Sequence, residues 1–339
     1  MNENITTPKT MKKVIHRRIR STLLEKGSTT KVELSDHLGI SFPTISKFLT
    51  QMEKEGELNL VGLDESSGGR RAKRYAYNPE YMLGLAIFLE RTETKFIIFN
   101  CIGEMKEQGK TTSVLNDDIE KLTKHIDGII KKYPKIESIA IGVPGAVDNG
   151  RIFYIPGYEN YNNFDLKKYL EHYFSIPVVV ENDMNAAVLG FQKNNRNKDN
   201  PSLVYLSSGE NGPGAGIMIN GDVVRGSSFF SGEVSFVPLY NNQSFLQAIG
   251  NNNKSFKDDK EIDAVARLIA SFTAIINPHT FIFCSDEVTK PIVEKITLIS
   301  SRYIPREHLP EITMSDWEQD YLHGLQSLGL DLLISNTDI

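Results

Sequence analysis

Cysteine is nearly absent: Cys101 and Cys284, far apart in the chain, are the only two in 339 residues. That excludes a disulfide framework and a Cys-rich zinc site. Long apolar runs are missing too, and none approaches the length needed to span a bilayer. The polar, charged N-terminus has no signal-peptide apolar core. The expectation is a cytoplasmic protein without a membrane partner. Neither sign of charge dominates: 24% charged and 40% hydrophobic residues describe an ordinary globular chain, long enough for two or three domains.

What charge imbalance there is lies at one end. Residues 1–80 carry 14 Lys+Arg against 10 Asp+Glu, net +4, and the remainder carries 24 against 33, net −9. Only the first part is thus suited to meet a polyanion. Residues 1–10 are polar and expected to fray. Val14, Ile15, Ile19, Leu23 and Leu24 recur at helical spacing over 11–26, and Gly27 closes the segment. A short helix over 31–38, a Gly39-Ile40-Ser41 turn and a helix over 42–55 with Ile45, Leu49 and Met52 inward describe a helix-turn-helix. The outer side of that last helix offers Ser41, Pro43, Thr44, Ser46, Lys47 and Gln51, which suit phosphates and base edges. Segments 58–62 and 73–77 read as hairpin strands. Gly69, Arg70 and Arg71 at the hairpin tip form a wing able to enter a narrow, A·T-rich minor groove. The expected partner is a double-stranded DNA operator. A three-helix packing module without nucleic acid is the alternative, and the wing and the charge weigh against it.

The rest of the chain alternates strands and helices. Strands are expected over 85–89, 95–99, 138–141, 203–207, 214–219 and 282–283, and helices over 117–133, 166–174 and 262–276. Residues 240–260, rich in Asn, Lys, Asp and Ser, read as a mobile loop. The richest segment is Val178-Val179-Val180-Glu181-Asn182-Asp183-Met184-Asn185-Ala186-Ala187. Its β-branched run reads as a buried strand that delivers a carboxylate and carboxamides to its C-terminal end, where open α/β sheets place ligands. Asn182 and Asp183 are suited to clamp the vicinal hydroxyls of a sugar. The plainer reading is a helix cap, with Asp183 or Asn185 as N-cap.

Neighbouring segments tip that balance. Ile141-Gly142-Val143-Pro144-Gly145, Ile155-Pro156-Gly157-Tyr158, Gly214-Ala215-Gly216-Ile217 and Ser231-Gly232-Glu233-Val234 stand around it in this order. Together with the Glu-Asn-Asp-x-Asn-Ala-Ala segment they resemble the ROK family of sugar kinases and sugar-responsive repressors, from about residue 12 to about residue 290. The resemblance implies an α/β fold: an N-terminal winged helix-turn-helix, residues 1–80, before a two-lobed ribonuclease-H-like body of the actin and hexokinase type. The first lobe would span 81–200, with a C-terminal helix over 316–335 returning to it, and the second lobe 201–315. It further implies a sugar effector held by Gly145, Asn182, Asp183 and Glu233; because one helix-turn-helix reads only a few base pairs, a homodimer or higher homo-oligomer on an inverted-repeat operator is expected.

Kinase chemistry is not expected. Where ROK kinases carry an Asp-x-Gly-Gly-Thr hairpin, this chain has Ala86-Ile87-Phe88-Leu89-Glu90, without the Asp and both glycines. Residues 207–214 read as a hairpin turn rather than a second phosphate loop, and Glu210 there would repel phosphate. Cys284-Ser285 stands where the family has Gly-Gly. Phe236 occupies the position of the family's zinc His, the Cys cluster is missing and Phe191 replaces a Glu, so no metal, cofactor or catalytic residue is expected. Phe236 would stack on a sugar face or fill the vacated metal site. The expected function is a sugar-responsive transcriptional regulator, of the repressor type, of carbohydrate genes. A ROK kinase with an appended DNA-binding domain, and a regulator whose body only dimerises, remain as alternatives.

Overall fold

The computed structural model describes residues 7–63, 71–155, 158–195, 199–209, 212–250, 256 and 258–335. Its first unit opens with α1 (Pro8–Lys26), capped by the Thr7 side chain, which accepts from Thr10 N at 3.2 Å. The helix therefore starts inside the stretch expected to fray. β1 (Thr29–Thr30) leads into α2 (Lys31–Leu38) through a capping box in which Thr30 and Glu33 satisfy each other's backbone N–H groups. Gly39, at φ 63°, ends α2 in the left-handed region and turns the chain into α3 (Phe42–Lys54). β2 (Leu58–Leu63) and β3 (Lys73–Tyr77) pair antiparallel, with β1 on the far side of β3. Ile19, Leu23, Leu34, Ile45 and Leu49 are fully buried among these elements.

The first lobe contains β4 (Leu83–Leu89), β5 (Glu93–Asn100), β6 (Met105–Thr112), α4 (Ile119–Lys132), β7 (Ile136–Val143), β8 (Ala146–Asp148), β9 (Arg151–Tyr154), β10 (Phe164–Asp165), α5 (Leu166–Phe174) and β11 (Val178–Asn182). Its main sheet runs β11-β7-β4-β5-β6, parallel from β11 to β4 and antiparallel beyond. After α6 (Asp183–Asn194) come β12 (Leu203–Ser207), β13 (Gly214–Ile219), β14 (Asp222–Val223), β15 (Pro238–Tyr240), β16 (Gln243–Ser244), α7 (Phe245–Ile249), α8 (Asp259–Ile276), β17 (Thr280–Cys284), α9 (Lys290–Ser300) and β18 (Glu311–Ser315). The second sheet runs β14-β13-β12-β17-β18. α10 (Trp317–Ser335) then returns to the first lobe and packs on β4, β7 and α6.

Two lengths of chain thus bridge the lobes, and they lie backbone against backbone. A Cβ on Gly190 of α6 would stand 1.8 Å from Asp320 O, and one on Gly324 of α10 would stand 1.9 Å from Ala186 O. Only glycine allows that approach. The Tyr205 hydroxyl of the second lobe donates to Asp320 Oδ2 at 3.1 Å, which fastens α10 to β12 as well. One apolar cluster runs from Ile19 and Leu49 through Tyr77 and Met82 to Phe99, Ala186, Tyr321 and Leu333. The winged helix therefore shares a core with the face of the first lobe that α6 and α10 cover.

Of the loop expected over 240–260, residues 240–250 are largely structured instead, and 251–255 and 257 lie outside the described residues. The β15–β16 hairpin leads into α7 through a second capping box, Ser244 with Gln247, and Phe256 is fully buried. Its polar composition masked a cap placed directly before the apolar Phe245-Leu246. β6, α9 and β18 were not anticipated; β6 is an edge strand of alternating exposed residues with little apolar content.

The α6–α10 contact leads to a direct test. Gly190→Ala should lower stability by roughly 1–3 kcal/mol or more, because the added methyl meets backbone that cannot step aside. An unchanged urea midpoint for this variant would contradict the packing described.

Candidate functional sites: an interlobe cleft and a recognition helix

A cavity of about 310 Å³ opens between the lobes. Its first-lobe wall includes Glu90, Gly145, Tyr154 and Asp183; its second-lobe wall includes Gly214, Phe229 and Glu233; Trp317 and Tyr321 of α10 close it. Gly145 is required as glycine, since a Cβ would come 2.4 Å from Tyr154 O. Val178 and Val180 bury β11 in the sheet, and that fixes where the strand hands over to α6.

At that junction the cap is Asn182, not Asp183 or Asn185. Its Oδ1 accepts from Asn185 N at 3.0 Å, and its Nδ2 donates to Gly145 O and Asp183 Oδ1, both at 3.0 Å. Both amide hydrogens and one lone pair are thereby spent. Its side chain therefore holds Gly145 and Asp183 in place and has one lone pair left over. Asp183 Oδ1 also accepts from Met184 N at 2.8 Å, so both of its bonds fall on the same oxygen.

Electrostatics set Asp183 apart. Burial, followed by the negative charges of Glu90 and Glu233, pushes its pKa up to about 7, against the pull of the Met184 N–H. Burial also raises the Glu233 carboxyl. Glu181, one residue before the cap, is tied down: Asn185 Nδ2 donates to it at 3.0 Å, and Arg225 from the second lobe pairs with it across the cleft. The Trp317 and Tyr321 rings meet at a tilt with centroids 5.1 Å apart, and the buried Tyr321 hydroxyl and Trp317 Nε1–H have no partner among the described residues.

At the far end of the cavity, β12 and β13 pair as the hairpin expected there, with Ser207 opposite Gly214. Residue Glu210 lies outside the described residues. The surprise is Glu287, 4% exposed, whose Oε1 accepts from Ser207 Oγ at 2.9 Å and whose two oxygens lie 2.9 Å from Ser208 N. A carboxylate of this chain thus sits on the N–H and O–H donors that a bound anion would use. Burial raises its pKa to about 7. Phe236 neither lines the cavity nor fills a vacated site: it is 66% exposed, its ring 5.3 Å from that of Phe230. Among the described residues no group of three His, Cys, Asp or Glu is placed to hold a metal ion.

Glu90, Glu181, Arg225, Glu287, Trp317 and Tyr321 were not singled out from sequence. Two of them carried a signal: Glu181 opens the Glu-Asn-Asp-x-Asn-Ala-Ala segment, and Glu90 closes the stretch where the family's phosphate hairpin is lost.

The second site is α3. Ser41, Pro43, Lys47 and Gln51 are exposed along its outer side, with Thr44 and Ser46 half-buried beside them. Ser41 makes no capping bond; its hydroxyl pairs with that of Thr44 at 2.9 Å, which leaves the first N–H groups of α3 available. Lys31 Nζ donates to Ser46 Oγ at 3.0 Å, and Gln51 pairs with Glu55. Arg71 is exposed, whereas Gly69 and Arg70 lie outside the described residues.

Comparison with known proteins agrees with both halves. Residues 13–56 match the winged helix-turn-helix DNA-binding family and residues 85–248 the ROK family. The chain thus carries a ROK family domain behind an N-terminal winged helix-turn-helix. It is 26% identical over 309 residues to the xylose repressor of Caldicellulosiruptor bescii, covering 88% of this chain and 70% of that one. With the xylose repressor of Bacillus subtilis it shares 25% over 238 residues, 68% of this chain and 61% of the other. Among solved structures, a ROK family transcriptional regulator homologous to Escherichia coli Mlc superposes with a TM-score of 0.72 at 18% identity, over 96% of this chain and 98% of that one. The ROK hexokinase of Thermus thermophilus superposes at 0.59, also at 18% identity, over 73% and 97%. At these identities the structural matches establish the fold: two actin-like lobes behind a winged helix.

Because Asp183 titrates near 7 in the fold and about 3.9 when unfolded, the native state keeps a proton that the unfolded chain has lost. Its contribution to stability is full below about pH 4 and is lost as pH rises through about 7. Glu90→Gln removes a like charge and should move the Asp183 midpoint downward, read by carbon-13 NMR of the carboxyl; a midpoint that stays put would show that Glu90 has no hold on it.

Proposed function

We propose that this protein is a transcriptional repressor that reads an A·T-rich inverted repeat as a homodimer and senses a sugar in its interlobe cleft without phosphorylating it. The observation that carries the reading is the pairing, in one continuous core, of an exposed recognition helix with a cleft whose anion-binding end is filled by Glu287. A nucleotide phosphate there would have to displace a buried carboxylate and then meet Asp183, Glu90 and Glu233 along the cavity. Phosphoryl transfer needs cationic or N–H groups where this cleft puts carboxylates. The same cleft suits a neutral polyol: Asp183 accepts from one hydroxyl, Glu233 from others across the cleft, and Gly145 lets the ring approach the backbone.

Dimerisation follows from the reading of DNA. One winged helix contacts only a few base pairs, and a two-fold pair gains by spanning two half-sites. The relatives named as xylose repressors make D-xylose the first sugar to test.

Four measurements bear on this. Duplexes selected from a random pool should converge on an inverted repeat, and Lys47→Ala with Arg70→Ala should weaken binding and lower the salt slope by about 0.9 for each phosphate no longer neutralised. Calorimetry against a monosaccharide panel should find a ligand, and Asp183→Asn should weaken it by about one to two decades, since bonds to a charged acceptor contribute roughly 1.5–3 kcal/mol. A hydroxyl donates to the ionised carboxylate, so affinity should climb as pH rises through about 7, and Asp183→Asn should flatten that climb. Sugar-dependent ATP turnover that disappears in Asp183→Asn would establish a kinase and overturn the reading.

A further inference from the structure

The regulator reading requires the cleft to act on α3, and the structure offers a rigid path between them. α10 spans about 28 Å at 1.5 Å per residue. Its first turn, with Trp317 and Tyr321, closes the cleft. Its last turn presents backbone carbonyls without helical partners, and Arg20 of α1 takes them: Nη1 donates to Leu333 O at 2.8 Å and to Ile334 O at 3.5 Å. A cation at this end is also favoured by the helix dipole.

Arg20 is not a loose surface contact. It is 3% exposed, and its Nε donates to Glu57 Oε1 at 2.8 Å. Glu57, fully buried just before β2, also accepts from the Tyr77 hydroxyl at 2.9 Å and lies 2.8 Å from His16 Nε2. Burial alone would raise the Glu57 carboxyl, but the His16 bond and the Arg20 charge hold it below the usual range. One guanidinium thus binds α1, the start of the wing and the end of α10 in the same fork. Between its ends α10 cannot bend freely: Gly324 lies against the α6 backbone, Ser138 Oγ donates to Gly329 O at 2.9 Å and Gln326 Nε2 to Gly103 O at 2.6 Å.

We propose that α10 is the coupling rod of this protein, and that the Arg20 bonds to the Leu333 and Ile334 carbonyls are the joint through which cleft occupancy and DNA binding affect one another. Ligand that draws the lobes together against Trp317 and Tyr321 displaces the rod along with α6, whose N-terminus carries Asn182 and Asp183. The joint passes that displacement to α1 and the wing together, because Arg20 and Glu57 are common to both. This rests on the regulator reading, and a test through DNA keeps the two apart. Coupling is reciprocal, so DNA bound at α3 must be felt at the cleft end of α10.

Trp317 is the chain's only tryptophan and reports from that end. The full-length protein is titrated with the selected duplex while duplex anisotropy reads binding and Trp317 emission reads the cleft. Two variants break the joint from opposite sides. Arg20→Lys keeps a cation beside Glu57 but loses the planar fork that reaches two partners at once. A chain ending at Asp331 keeps the Arg20–Glu57 pair and removes the two carbonyls. In the wild type, emission should change in step with anisotropy. Both variants should hold duplex affinity within about threefold while the emission change drops at least about fivefold. A wild-type Trp317 signal that ignores the duplex, or a signal that survives in both variants, overturns the coupling proposal. Absence of any duplex binding by the wild type overturns the regulator reading itself.

Discussion

The contact between α6 and α10 is the constraint on which the rest of the molecule depends. Both helices carry the chain across the gap between lobes, and at Gly190 and Gly324 no side chain separates them. Helices held at backbone distance gain close van der Waals contact along their length, and they lose the freedom to slide that interdigitated side chains would leave. Four groups of the cleft hang from this pair: Asn182 and Asp183 at the start of α6, Trp317 and Tyr321 at the start of α10. The cleft is therefore built where the two crossings between lobes lie side by side.

Two carboxylates of the cleft have lost water without gaining cations. Asp183 and Glu287 both sit near 7 for that reason. Phosphate-handling sites solve the opposite problem, gathering N–H groups and cations around a concentrated negative charge. Here the Ser207 hydroxyl and the Ser208 N–H are satisfied from within by Glu287, while the Ser208 hydroxyl has no partner among the described residues.

Much of the fold was legible because local signals agreed. The β-branched run before Glu181 predicted β11, the glycines at 27 and 39 predicted the ends of α1 and α2, and inward Ile45, Leu49 and Met52 oriented α3. Half of the cleft was legible for the same reason: the glycine turn and the Asn-Asp pair stand within one strand-to-helix unit. The other half was not, because it comes from far along the chain. Trp317 and Tyr321 follow Asp183 by more than 130 residues, and nothing in their own neighbourhood marks them as anything but an apolar helix face. Glu287 was hidden likewise, in a turn whose meaning depends on two serines 80 and 79 residues earlier. Asn182 shows a subtler limit: cap and ligand group are the same residue type at the same place, and only the hydrogen bonds around it apportion the roles.

The shared apolar cluster has a consequence for how such proteins can be taken apart. Between the winged helix and the body there is no tether of flexible residues: β3 ends at Tyr77, Met82 is already buried, and Leu333 of α10 packs into the same cluster as Ile19 and Leu23. Cutting the chain at this junction would uncover two complementary greasy faces, together with the Arg20–Glu57 pair that bridges them. The DNA-reading unit is therefore less a detachable module than the end wall of the body. Exchanging it for another reading head would mean redesigning the last turns of the C-terminal helix along with it.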